Sequence, residues 1–154
     1  MVIHINYSRK FFHQLLMLYR PFEKRLNTEL AKHELHRAQW TIIYYLENIN
    51  PATLVELSNY QGVEKPTITR TVSQLEERGI VEKVPGKDKR EKRMQLTEAG
   101  KQFYQEVRKT VDAYEEEILM GISEEELKTA IRMMDDIRKS IIQSGDGEVG
   151  TNKN

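Results

Sequence analysis

Five cations fall within seven residues at Lys87, Lys89, Arg90, Lys92 and Arg93, inside the stretch VPGKDKREKRMQLT of residues 84–97. Such side chains suit a polyanion. Each phosphate they neutralise releases condensed counterions, so clustered cations gain affinity together. A second group lies upstream in KPTITRTVSQLEER, where Lys65, Thr67, Thr69, Arg70 and Ser73 carry donors and methyl groups that read base edges or grip phosphates. At about 100° per residue, Ile68, Val72 and Leu75 share one helical face, while Pro66, Arg70, Ser73 and Glu77 lie opposite. One face docks the helix; the other is left to enter a groove, with the helix dipole adding positive potential at its start. Alone, this helix would read as an ordinary amphipathic surface helix and the cationic run as a solvated loop. Their neighbours decide.

The 154-residue chain has no net charge, 38% apolar and 31% charged residues, and no cysteine. Its length suits one domain with helical extensions, and the missing thiols exclude disulfides, thiolate metal sites and thiol-oxidation sensing. The neutral total conceals a gradient. Residues 1–50 hold seven cations against four anions, residues 101–154 eight against twelve, and residues 83–93 six against Asp88 and Glu91. A partner feels the local field, so distribution outranks the sum. No apolar run approaches the ~20 residues of a spanning helix, and the N-terminus lacks a signal-peptide pattern. A cytoplasmic protein away from the membrane is expected.

The elements that must position the two groups follow from periodicity. Phe11, Leu15, Leu18, Phe22, Leu26 and Leu30 mark a helix face over residues 8–32, with a kink or break expected at Pro21. RAQWTIIYYLEN (37–48) reads as a second helix stopped by Asn50 and Pro51. Thr53 and Glu56 have capping-box spacing before a short helix that Gly62 closes; Pro66 opens the next, and Gly79 ends it. IVEKV and RMQLT flank the cationic turn as hairpin strands. Phe103, Val107, Val111, Tyr114 and Ile118 give a further helix, interrupted at Gly121; Ser123 and Glu126 cap a last one bearing Leu127, Ile131, Met134, Ile137 and Ile141. The glycine-rich residues 144–154 read as a disordered tail. Short helix, tight turn, second helix and hairpin is the element order of a winged helix-turn-helix. The fold class expected is mainly α with a small β-hairpin wing.

From His36 to Gly100 the chain resembles the MarR family of bacterial transcriptional regulators, through LHRAQWTIIYYL, LVELSNYQGVEKPTITRTVSQLEERGIVEK and DKREKRMQLTEAG. In the last, Asp88, Arg90, Leu96, Thr97 and Gly100 match the family's D-x-R, L-T and following glycine. The resemblance implies that Arg90 enters a minor groove at the wing tip with Asp88 orienting its guanidinium, and arginine suits narrow, strongly negative grooves. Two departures stand out. Glu64 and His36 occupy helix starts where the family commonly has serine or threonine, and Glu64 is expected to weaken the cap and repel phosphate.

The expected organisation is a DNA-binding lobe at 36–100 and a helical dimerisation region at 1–35 and 101–143. Phe11, Leu15, Leu18, Phe22, Val111, Tyr114, Ile118, Ile131, Met134, Ile137 and Ile141 exceed what a small winged helix covers, and a two-fold homodimer would cover them. Trp40, Tyr44 and Tyr45 either line an effector pocket, as the resemblance allows, or belong to the core. HELH, with His33 and His36, is one residue short of the H-E-x-x-H zinc motif, and the Glu115–Glu117 and Glu124–Glu126 runs point around their helices. No metal, cofactor or catalytic set is expected. The expected function is a homodimeric, sequence-specific regulator of double-stranded DNA, a repressor released by a small-molecule effector. The alternative is a winged-helix module that binds an acidic protein.

Overall fold

A computed structural model of the chain describes residues 2–85 and 92–148. Helix α1 (Val2–Ala31) is followed by α2 (Arg37–Asn48), the two-residue strand β1 (Ala52–Thr53), α3 (Leu54–Gln61) and α4 (Lys65–Glu77). Strands β2 (Val81–Lys83) and β3 (Arg93–Leu96) form the wing, and α5 (Glu98–Ile118) and α6 (Glu124–Glu148) complete the chain. The sheet is antiparallel in the order β1-β3-β2, with Ala52 opposite Met94 and Val81 opposite Leu96. This mainly helical chain with a three-stranded wing sheet is a winged helix-turn-helix.

Local chemistry explains the helix boundaries. Glu56 N–H donates to Thr53 Oγ1 at 3.1 Å and Thr53 N–H to the Glu56 carboxylate at 3.4 Å, closing the capping box at α3. Gly62 then ends α3 at φ +66°, where a Cβ would be strained. Ser123 and Glu126 make the same reciprocal pair before α6. The break expected at Pro21 is absent: α1 runs through it without interruption. One missing amide bond in thirty residues is offset by the turns on either side. Helix α6 continues to Glu148, so residues 144–148 are helical rather than tail; residues 149–154 lie outside the described ones.

Two compact units result, Met1–Glu115 and Glu116–Asn154. In the first, a single core joins Leu26, Leu30 and Leu35 to Ile42, Ile43 and Leu46, to Ile68, Val72 and Leu75, and to Tyr104, Val107 and Val111. Helix α1, through Leu26 and Leu30, and helix α5, through Tyr104, Val107 and Val111, thus share one core with α2 and α4. In the second unit, α6 carries Ile131, Met134 and Ile141 exposed and Ile137 half-buried.

The Leu96-Thr97 pair and Gly100 have a packing reason. Leu96 is buried opposite Val81. Thr97 Oγ1 accepts from Gly100 N–H at 2.9 Å, capping α5, and donates to Gly79 O at 2.6 Å, tying that cap to the turn after α4. Gly100 lies so close to Ile80, the residue before β2, that a Cβ would sit 2.0 Å from its carbonyl oxygen. Only glycine permits this approach.

Candidate nucleic-acid interface

The buried stripe of α4 is Ile68, Thr71, Val72 and Leu75. Thr71 was not anticipated there; it fits because its hydroxyl donates to Thr67 O at 3.0 Å and so enters the core satisfied. On the opposite side Lys65, Thr67, Thr69, Arg70 and Ser73 are all exposed. Their hydrogen-bonding capacities differ. Thr69 Oγ1 donates to Lys65 O at 3.0 Å, which leaves a methyl and acceptor lone pairs outward. Among the described residues, the hydroxyls of Thr67 and Ser73 make no intrachain hydrogen bond and Arg70 makes no ion pair. Glu64 stands at the N-cap with extended backbone and no side-chain cap bond, so the helix start lacks the usual hydroxyl.

The wing base lies beside this face. A groove of about 160 Å³ is lined by Leu54, Thr69, Val72, Ser73, Glu76, Lys83, Lys92 and Met94. It brings together two groups that are distant in sequence, the α4 hydroxyls of Thr69 and Ser73 and the wing cations Lys83 and Lys92. Lys83 belongs to the same cationic stretch, and with its register opposite Met94 it lines the groove beside α4. Lys92 and Arg93 are exposed. Lys87, Asp88, Lys89 and Arg90 lie outside the described residues.

A family model described as MarR family matches residues 33–91. YwoH of Bacillus subtilis, an HTH-type transcriptional regulator, is 37% identical over 119 residues, covering 77% of this chain and 87% of the relative. The chain belongs to the MarR family. It is a DNA-binding transcriptional regulator and not an enzyme. The chain is also similar to an HTH-type transcriptional regulator of Staphylococcus aureus, 30% identical over 88% of this chain and 95% of that one. Among solved structures, Staphylococcus aureus MarR in complex with salicylate and kanamycin matches with a TM-score of 0.79 at 29% identity, over 88% of this chain and 93% of that chain. A mutant MarR from E. coli complexed with operator DNA shares the fold, with a TM-score of 0.73 at 22% identity over 86% and 96% of the two chains.

The apolar stripes of this MarR-family chain divide in two. Phe11, Leu15 and Leu18 on α1 and Ile118, Ile131, Met134 and Ile141 remain exposed. Val111 and Tyr114, expected on the dimer face, are instead 1% and 3% exposed within the chain. Tyr114 stacks on Phe22 with ring centroids 5.7 Å apart and donates its hydroxyl to Phe22 O at 2.9 Å, so all three serve the intrachain core. Trp40 is likewise buried, at 6% exposed, and stacked on Tyr104 at 5.4 Å. Arg108 lies 5.6 Å from the Trp40 ring and pairs with Asp112 and Glu115. Burial pushes the Tyr104 phenol up, with Arg108 opposing; burial also works against the charge of Arg108, but the two carboxylates outweigh it and hold its pKa above the ordinary value. Tyr44 is exposed.

Proposed function

We propose that this protein is a cytoplasmic repressor that binds a pseudo-palindromic operator as a homodimer. The observation that carries it is the shared groove in which Thr69 and Ser73 of α4 adjoin Lys83 and Lys92 at the wing base, with Thr67 and Arg70 exposed on the same helix. A helix and a ribbon set side by side fit a major groove and its flanking minor groove. Arg70, with its planar fork, is the residue for guanine; Lys65, Lys83, Lys92 and Arg93 grip phosphates. Lys87, Lys89 and Arg90, with Asp88 beside them, carry the wing into the minor groove. Thr69 contributes its methyl, since its proton is engaged by Lys65 O.

The exposed apolar face of Phe11, Leu15 and Leu18 on α1 and that of Ile131, Met134 and Ile141 on α6 each support a dimer, because an apolar helix face seeks cover. A two-fold dimer presents α4 twice, to half-sites about 10 base pairs apart. Release follows from geometry: an effector that binds better to a dimer with wrongly spaced helices lowers DNA affinity by that difference. The complex of Staphylococcus aureus MarR with salicylate is in keeping with this reading.

Binding to a selected duplex and to random duplex, each titrated against salt, tests the proposal. The wild-type chain should lose affinity linearly in log salt. Arg90→Ala should weaken both duplexes by about 1–3 kcal/mol and reduce the slope, while Arg70→Ala should relax preference among sequences. No binding to either duplex at low salt would overturn the proposal in favour of an acidic protein partner.

A further inference from the structure

Two helix ends meet behind the DNA-facing surface. Helix α1 closes with Leu35 N–H on Leu30 O at 3.1 Å and Glu34 N–H on Ala31 O at 3.0 Å; helix α4 closes with Ile80 N–H on Leu75 O at 3.0 Å and Gly79 N–H on Glu76 O at 2.9 Å. Both are Schellman turns. The second has glycine at its left-handed position, φ +71°, whereas the first holds Glu34 there at φ +56°. A glutamate in that conformation is unfavourable and needs support from its surroundings.

Arg78 supplies that support. Its Nη1 donates to Glu34 O at 2.7 Å and its Nη2 to His33 O at 3.1 Å, so one guanidinium fork holds the two carbonyls of the α1–α2 turn. The same guanidinium lies 5.4 Å from the ring centre of Phe103 on α5. Phe103 in turn meets His33 edge-on at 6.3 Å, and His33 Nε2 lies 2.7 Å from Thr110 Oγ1, also on α5. A single side chain at the end of α4 therefore grips both α5 and the turn that ends α1. Lysine lacks the flat fork this arrangement uses.

We infer that Arg78 is a positioning residue that sets the direction of α4 relative to α1 and α5, and thereby the half-site spacing the dimer accepts. This rests on the dimeric DNA-binding reading above. The lever is long: α4 has thirteen residues, roughly 20 Å. A rotation of about 5° at its far end moves the groove-facing end by roughly 2 Å, and two protomers together by about one base-pair step. Arg78 itself need not touch DNA.

The test uses the full chain and a duplex carrying a half-site selected from random DNA, repeated at its preferred spacing and at one or two base pairs more or fewer. Wild-type should show a sharp optimum. Arg78→Ala should lose about tenfold at that optimum and less than about threefold at neighbouring spacings, which flattens the profile. Arg78→Lys should also flatten it, because the charge remains but the fork is gone; a wild-type profile in Arg78→Lys would overturn the inference in favour of simple electrostatics. A loss by the same factor at every spacing in Arg78→Ala would equally overturn it, as that is what a smaller folded fraction produces. If Arg78→Ala does not fold, Arg78→Gln takes its place with the same two outcomes. A wild-type chain indifferent to spacing would sink the dimer reading itself, and the inference with it.

Discussion

The two ends of α4 are built differently. At its C-terminal end everything is fastened: a Schellman turn through Gly79, the Arg78 fork on the α1–α2 turn, and Thr97 drawing the cap of α5 onto Gly79 O. At its N-terminal end Glu64 makes no side-chain cap bond, and Thr67 and Arg70 stand exposed. A helix held at one end and left open at the other can present donors without adjusting them for its own fold. Stability is concentrated at one end and function at the other.

Substitutions at the two ends should therefore separate stability from binding. The largest effect belongs to Gly100→Ala, whose added Cβ meets Ile80 O at 2.0 Å. Backbone faces backbone there, so α5 must move away from Ile80. A loss of about 3 kcal/mol or more in urea unfolding is expected, and a variant as stable as wild-type would show that the fastened end is looser than described. Thr97→Val keeps the shape but leaves Gly79 O and Gly100 N–H without the hydroxyl, at a cost of about 1–2 kcal/mol by the same measurement. At the open end the sign reverses. Glu64→Ser should cap α4 and stabilise by about 0.5 kcal/mol, since the gained hydrogen bond exceeds the lost attraction of a carboxylate for the helix dipole. It should also tighten DNA binding most at low salt, where the repulsion of Glu64 from phosphate is least screened. The smallest effect is expected for Thr69→Val, which leaves both stability and DNA affinity within about 0.5 kcal/mol because the hydroxyl proton already faces Lys65 O. A larger loss of affinity in a binding isotherm would show that this hydroxyl turns outward on DNA.

Much of this was legible in the chain. The i, i+4, i+7 spacing of Ile68, Val72 and Leu75 marks their common face, and Thr53 with Glu56 marks a helix start, because both depend on residues within two turns of each other. The assignment of apolar stripes to a dimer was less legible. Val111, Tyr114 and Phe22 have the same periodicity as Leu15 and Leu18, yet they pack into their own chain. A stripe declares that it needs cover and is silent about what provides it. Trp40 is buried in the same way. Arg78, an arginine just beyond a helix end, looks like any solvated cation until the α1–α2 turn is placed against it.

The sequence by itself determined the winged-helix order, the caps and glycine stops of its helices, and the concentration of cations at the wing, since these are set by nearest neighbours and composition. Tertiary structure decided which apolar faces close on the same chain, why Gly100 admits no side chain, and how Arg78 joins α4 to residues 44 and 45 positions earlier. Those outcomes depend on distances between segments far apart along the chain, and such distances exist only once the core has formed.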